Sequence, residues 1–333
     1  MQDRIVSSQT NSQEYEHDIQ LRPKNFDEYV GQKRVVENIE LMVQSALSRK
    51  AAMDHALLSG PPGLGKTSLA MIIANYLGSQ LHVVSGPAIE RKGDLAAVLT
   101  NLAPRDVLFI DEIHRMHISV EEMLYSAMED FRLDILIGEG AAARTMQISL
   151  VPFTLIGATT RAGLLSNPLR DRFQSHLHFD FYSAEELSTI IQNNAKKLNL
   201  SLDTEANMTI ARRSRGTPRI ANRILRRVRD FSVVKKVKNI DSSIVDNALH
   251  LMDIDSLGLD SMDRKILKVM NDFYAGGPVG IDALSATLGE DKQTIEDVYE
   301  PYLLKNGLII RTSRGRLLSD TAKQHIASDA MGK

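Results

Sequence analysis

Gly60-Pro61-Pro62-Gly63-Leu64-Gly65-Lys66-Thr67 is the stretch from which the rest of the chain can be read. Its glycines free the backbone to turn N–H groups inward, and Lys-Thr follows where a helix would begin. This is the G-x-x-x-x-G-K-[ST] pattern of a phosphate-binding loop, in which amides and a helix N-terminus face the phosphates. Lys66 is then placed to reach the β- and γ-phosphates, and the Thr67 hydroxyl to ligate Mg2+. Such a loop needs a strand before it and a helix after, and HALLSG (55–60) and TSLAMIIANYL (67–77) supply them. Downstream, Val107-Leu-Phe-Ile-Asp111-Glu112 is an apolar strand ending in two carboxylates. After a phosphate loop, that pair assigns Asp111 to the Mg2+ shell and Glu112 to the attacking water. Glu112 is the residue that separates hydrolysis of ATP from mere binding.

Working outward, LHVVSG (81–86) and TLIGATT (154–160) are further short apolar runs, each with the look of a buried parallel strand. Strands alternating with helices predict an α/β domain with a parallel sheet. Thr160, at the end of TLIGATT, is placed to sense a γ-phosphate. Arg170 and Arg172 follow a loop in NPLRDRF, and one of them suits an arginine finger supplied to a neighbour's nucleotide; a surface ion pair with Asp171 is the plainer alternative. Inside this domain Leu133, Ile135 and Ile137 alternate, GEGAAAR intervenes, and Met146, Ile148 and Leu150 alternate again. That is hairpin patterning, compatible either with packing on the domain's own core or with an exposed docking face.

Ser183 and Glu186 form a capping box, and from there to about 253 the pattern is helical without a strand candidate. Ile220, Ile224, Val228 and Phe231 mark the buried stripe of one helix, whose other faces carry Arg219, Arg223, Arg226, Arg227 and Arg229. After MDIDSLGLD, three short helical segments precede LIIRTSRGRLLS, two strands around a Ser-Arg-Gly turn, which is the order of a winged helix. The expected domains are a tail at 1–20, an ATPase domain at 21–182 with its hairpin near 132–150, a helical domain at 183–254, and a winged helix at 255–333.

A length of 333 residues calls for two or three domains, and 43% hydrophobic with 25% charged residues fits globular protein. No apolar run is long enough to cross a bilayer, and the polar N-terminus lacks a signal-peptide core. The simplest address is cytoplasmic. Without cysteine there is no disulfide framework or thiolate metal site, and the nine histidines lack ligand spacing. Net charge is only −2, yet residues 206–240 hold eleven Lys or Arg against Asp230 alone. Segregation of that kind builds positive surface on a near-neutral protein, though a solvated helix face is the plainer reading of any single run.

Together RPKNFDEYVGQ, GPPGLGKT, VLFIDEIHR, AMEDFRLDILIGEG, FTLIGATTRAG, PLRDRF, RGTPRIANRILRRVRDF, TIEDVYEPYL and RTSRGR resemble the AAA+ superfamily, and within it the RuvB family, in order from about Leu21 to Arg316. The resemblance implies an AAA+ P-loop ATPase domain with a parallel sheet, a small all-helical lid and a C-terminal winged helix. It implies a homohexameric ring around duplex DNA that uses ATP and Mg2+ for branch migration of Holliday junctions, beside RuvA and in a wider complex with the resolvase RuvC. By position it assigns Leu21, Arg22, Tyr29 and Val30 to the adenine side, and Gly63, Gly65, Lys66, Thr67 and Ser68 to the phosphates. Glu129, Asp130, Phe131, Tyr182 and Arg219 are further nucleotide contacts, Thr160 the first sensor and Arg172 the trans finger. Arg311 and Arg316 are implied to contact DNA. Leu133, Ile135, Ile137, Met146 and Ile148 are implied to dock on RuvA. His114 and His117 stand in HRMHIS where the family more often has HRLSP, and no role is assigned to them.

The helix expected at Lys292–Leu304 carries Glu296, Asp297 and Glu300 and is poorly suited to phosphates, whereas Arg311, Arg314 and Arg316 suit the wing to backbone contact. The rival readings are another AAA+ machine, such as a clamp loader, initiator or σ54 activator, the last of which needs an absent GAFTGA loop. A winged-helix regulator that uses ATP as a switch is the non-enzyme alternative, against which Glu112 weighs.

Overall fold

The computed structural model describes residues 20–137 and 144–331. Nearly all of the expected tail, and the segment 138–143 of the hairpin turn, lie outside the described residues. Two compact units are seen among the described residues: one holds 20–60 and Leu64–Asp180, the other Pro61–Gly63 and 181–331.

In the first unit, α1 (Lys33–Arg49) precedes β1 (Ala56–Ser59), α2 (Lys66–Leu77), β2 (Leu81–Ser85), α3 (Lys92–Thr100), β3 (Val107–Asp111) and α4 (Ile118–Glu129). The hairpin β4 (Arg132–Ile137) and β5 (Arg144–Ser149) follows, then β6 (Thr154–Thr159), α5 (Asn167–Asp171) and β7 (Ser175–His178). The five-stranded parallel sheet runs β2-β3-β6-β1-β7. β3 and β6 are interior strands, which is why Val107–Ile110 and Thr154–Ala158 form unbroken buried runs. β7 is an edge strand with the polar sequence Ser-His-Leu-His, burying only Leu177, so apolar patterning does not announce it.

The register fixes where function can sit. Ser59 lies opposite Thr159, and Ile110 opposite Gly157, so the carboxyl ends of three adjacent strands, β1, β6 and β3, open at one edge. Ligands of open parallel sheets bind at that edge. Gly157 leaves room for its neighbours: a Cβ there would lie 2.9 Å from Phe173 and 3.1 Å from Ile113, whose side chains would have to shift.

The second unit opens with α6 (Ala184–Lys197), started by the Ser183–Glu186 capping box. Then come α7 (Thr204–Arg212), α8 (Pro218–Lys235) and α9 (Ser242–Leu251). The stretch is helical as expected, with the addition of a two-residue parallel pair, β8 (Ser201–Leu202) with β9 (Asn239–Ile240). The winged helix is α10 (Ser261–Tyr274), α11 (Ile281–Leu288), α12 (Lys292–Thr294), a π-turn (Ile295–Tyr299), α13 (Glu300–Lys305), β10 (Ile309–Thr312), β11 (Gly315–Leu318) and α14 (Asp320–Met331). The π-turn has a local cause. Pro301 has no N–H and its ring would strike the carbonyl one turn earlier, so the helix widens there rather than breaking.

Candidate nucleotide site and nucleic-acid interface

The loop after β1 is shaped by its glycines. Gly60, Gly63 and Gly65 have φ of 134°, 80° and 100°, and a Cβ on Gly65 would lie 2.6 Å from the Tyr29 hydroxyl. Gly65 also caps α2, whose first turn has no side-chain cap and no acidic residue. A helix start with neither a side-chain cap nor an acidic residue leaves the positive end of its dipole suited to an anion. Lys66 is buried in the loop, with Nζ donating to the Gly60 carbonyl at 2.8 Å. Thr67 and Ser68 follow, half-buried, in the same helical turn. Thr67 and Asp111 are hard oxygen donors of the kind Mg2+ takes, alongside phosphate oxygens. No cluster of three or more His, Cys, Asp or Glu suited to a metal occurs among the described residues, and such a Mg2+ site needs none.

The flanking residues divide. Tyr29 is buried and directs its hydroxyl to the Leu64 and Gly65 carbonyls at 3.5 and 3.3 Å, so in this chain it braces the loop from behind. Leu21 is buried, Val30 is half-buried, and Arg22 reaches the Met71 sulfur. Tyr182 and Arg219 belong to the second unit, as do Pro61–Gly63. There the Arg219 N–H donates to the Gly63 carbonyl at 3.4 Å, and the Tyr182 N–H to the Gly216 carbonyl at 2.9 Å.

Asp111 ends β3 and accepts the Glu112 N–H at 3.0 Å. Glu112 itself is left-handed, at φ 51° and ψ 43°, an uncommon state for a non-glycine residue. The turn fits only because residue 86 is glycine: a Cβ there would lie 2.5 Å from the Glu112 carbonyl oxygen. The Glu112 carboxylate accepts from the Thr160 hydroxyl at 3.3 Å and lies 3.4 Å from His114 Nδ1. The His114 side chain is buried, and Nδ1 is also 2.9 Å from the Thr159 hydroxyl, which accepts the Arg161 N–H. A lone pair on Nδ1 would face a carboxylate, so the tautomer with hydrogen on Nδ1 is favoured. Sequence reasoning assigned His114 nothing; the signal was its position two residues beyond Glu112, meaningful only after the tight turn is known. His117 caps α4 by accepting the Ser119 N–H.

Arg172 ends α5, donates to the Pro168 carbonyl and Glu129, and stacks over Tyr125 at 4.4 Å. Glu129 thus joins Arg172, Asp130 pairs with Arg132, and Phe131 packs its ring against His55 and Phe153. Phe131 is half-buried, its ring packed against the domain core.

The hairpin corrects one docking residue. Cross-strand pairing sets Leu133 opposite Ile148 and Ile135 opposite Met146 on one face. At its base Leu133 is 0% exposed within the domain core, with Ile148 and Ile135 packed against that core, while Met146 is 46% exposed. The apolar face therefore runs off the core toward the tip, and Leu133 is structural. Ile137 pairs with Arg144 at the far end, and its side chain lies outside the described residues.

The wing is corrected as well. Arg316 is 7% exposed, with Nε bound to Glu300 at 3.0 Å and Nη2 to Glu296 at 2.8 Å. Arg311 reaches the same two carboxylates at 3.0 and 3.1 Å. The acidic helix and the basic wing neutralise each other, which no inspection of either segment alone reveals. Arg314 stays exposed at the hairpin turn. Arg314→Ala should weaken duplex binding and lower the slope of log affinity against log salt by about 1, with folding unchanged. Arg316→Ala should instead cost on the order of 3 kcal/mol of stability, since buried Glu300 keeps only part of its pairing. Salt-titrated binding and thermal melts of both variants check this, and a reversed pattern would refute it.

Known proteins match over nearly the whole length. Residues 21–179 fit the family model of the Holliday junction DNA helicase RuvB P-loop domain. Residues 182–255 fit the RuvB AAA lid domain and 256–327 the RuvB C-terminal winged helix domain. The Holliday junction branch migration complex subunit RuvB of Granulibacter bethesdensis is 56% identical over 306 residues, covering 92% of this chain and 85% of that protein. Its namesake from Myxococcus xanthus is 57% identical over 305 residues, 92% and 89% of the two chains. The structure titled Thermotoga maritima RuvB Holliday junction branch migration motor superposes with a TM-score of 0.86 at 49% identity, covering 92% and 98%. Agreement through lid and winged helix, as well as the phosphate loop, sets aside the other AAA+ machines and the ATP-switched regulator: the chain belongs to the RuvB family.

Proposed function

We propose that this chain is the ATP-hydrolysing motor of Holliday junction branch migration in recombination and DNA repair, acting as a homohexameric ring around a duplex arm. The observation that carries the ATPase half is the convergence of the phosphate loop, Asp111–Glu112 and Thr160 at the carboxyl ends of β1, β3 and β6. The relatives' shared description carries the junction half.

Gly63, Gly65, Lys66, Thr67 and Ser68 hold the triphosphate, with Leu21, Arg22 and Val30 on the base side and Tyr29 bracing the loop. Thr67 and Asp111 would hold Mg2+, which supplies charge neutralisation on the phosphates. Glu112 takes the proton of the attacking water, and the Thr160 hydroxyl orients its carboxylate. Tyr182 and Arg219 read the nucleotide from the lid, and Arg172 completes a neighbour's site. Residues 21–182 do the ATPase work, 183–254 form the lid, and 255–333 touch DNA, with Arg314 and the half-exposed Arg311 gripping phosphates rather than bases. Met146 and the adjoining edge of Ile135 and Ile148 form the face offered to RuvA, with RuvC joining the wider complex. No helix among the described residues is long and apolar enough to cross a membrane, consistent with work in the cytoplasm.

The test is ATP-dependent dissociation of a synthetic four-way junction, with and without the matching RuvA. Dissociation that needs both ATP and RuvA is expected. None with a matched RuvA would remove the junction function and leave the ATPase standing.

A further inference from the structure

A buried ionic cluster in the second unit lies outside every role given so far. Arg215 ends the turn after α7 with φ 55°, followed by Gly216 at φ 69°: two successive left-handed residues, the first with a bulky side chain. Its guanidinium is almost wholly buried. It binds Asp263 twice, Nη1 to Oδ2 at 2.8 Å and Nη2 to Oδ1 at 3.2 Å, and reaches Asp260 at 3.3 Å. It also stacks 4.7 Å over the Tyr302 ring and donates to the Val298 carbonyl inside the π-turn at 3.5 Å. Asp260 and Asp263 cap the first turn of α10 reciprocally. A residue of the lid therefore fastens three pieces of the winged helix at once: the start of α10, the π-turn and α13.

Such a cluster is a poor way to gain stability. A guanidinium and one carboxylate removed from water, with a second carboxylate partly so, are expensive, and well-packed apolar groups often serve as well. Asp263 registers that expense, since burial pushes its carboxyl up to about 7 even with Arg215 beside it. Arg215 in the left-handed region adds local strain, and strain that persists points toward function.

What joins this cluster to chemistry is its place in the chain. Only Gly216, Thr217 and Pro218 separate Arg215 from Arg219, the lid's nucleotide-reading arginine. The turn has little freedom: the Thr217 N–H and hydroxyl both bind the Ser214 carbonyl, and the Gly216 carbonyl accepts from Tyr182. At the other end, α13 carries Glu300, which holds Arg311 and Arg316 of the wing. A contiguous path of packed and hydrogen-bonded groups thus runs from Arg219 through Arg215 to the wing.

We propose that Arg215 is a positioning residue that makes lid and winged helix one lever, transmitting the nucleotide state read at Arg219 to the wing that grips DNA. This rests on the motor function proposed above. Arg215 touches no nucleotide and takes no part in hydrolysis, so its loss should uncouple rather than inactivate.

The test uses the full chain with RuvA and a four-way junction. ATP turnover without DNA should stay within about twofold of wild type in Arg215→Gln, while junctions dissociated per ATP hydrolysed fall at least about tenfold. Asp260→Asn keeps an equivalent helix cap and removes only a charge, so it should fold normally and cost about threefold in the same ratio. Should Arg215→Gln not fold, Asp260→Asn decides. An unchanged ratio, or turnover and dissociation falling together, would show the cluster to be plain domain packing. Amide exchange in the first turn of α10, with and without a slowly hydrolysed ATP analogue, reads the coupling without a junction. A nucleotide-dependent change in wild type that vanishes in Arg215→Gln supports the lever, and persistence of the change overturns it, even if the junction function itself fails.

Discussion

Glu112→Gln should lower ATP turnover by about two to four orders of magnitude, the range that positioned proton transfer contributes, while nucleotide affinity changes little. On the proposed arrangement affinity is held elsewhere, by the uncapped start of α2 and by Lys66 within the loop. Glutamine keeps the size of the side chain and a carbonyl oxygen to accept from Thr160, so the left-handed turn and its neighbours have no reason to move. What it loses is the ability to take a proton. The environment explains why glutamate is poised and not merely present. Its carboxylate is oriented by Thr160 and His114, both set by the ends of β3 and β6, and the backbone beneath it is locked by the glycine at 86. Turnover measured against the affinity of a fluorescent ATP analogue separates the two effects. A variant that still turns over within tenfold of wild type would mean that another group activates water, and that Glu112 is only part of the scaffold.

The loop and the Asp111–Glu112 strand were legible because phosphate chemistry dictates local sequence. A backbone at positive φ demands glycine, an anion demands an uncapped helix start, and both lie within eight residues. Interior parallel strands were legible for a similar reason, burial on both faces leaving unbroken apolar runs. β7 escaped because an edge strand need bury only Leu177. The alternation in the hairpin correctly announced strands, yet periodicity cannot say which end of an apolar face meets the core; that depended on Phe131, Phe153 and their neighbours. The wing shows the limit most clearly. Arg311 and Arg316 read as a free basic patch because Glu296 and Glu300 belong to another element, and only folding brings the four together. Arg215 was hidden in the same way, as one of eleven cations in a basic stretch until its carboxylates appeared across the unit.

Arg172→Ala and Lys66→Ala, each inactive alone, should restore ATP hydrolysis when their subunits are mixed into one ring. Lys66→Ala removes the ammonium proposed to meet the phosphates within its own site. Arg172→Ala removes, on the proposed arrangement, a group that acts on the next subunit's nucleotide, worth about three to five orders of magnitude in turnover. An intact site in the mixed ring then joins the loop of an Arg172→Ala subunit to the arginine of a Lys66→Ala neighbour, and random pairing makes about a quarter of interfaces of this kind. The local structure allows the arginine to leave its place. Its partner Glu129 is more than half exposed, so that pair is worth little. Arg172 Nε is buried without a hydrogen-bond partner among the described residues, an unmet donor that its present position does not satisfy. Removing the side chain orphans no buried charge, so folding should survive and the inactive variant should still assemble. Co-assembly must be verified, for example by differently tagged subunits recovered together. With mixing established, hydrolysis no higher than that of either variant alone would place Arg172 in its own subunit's site or outside catalysis altogether. Recovery toward a quarter of wild-type turnover per ring requires that the finger cross between subunits, because two defects within the same site cannot complement each other.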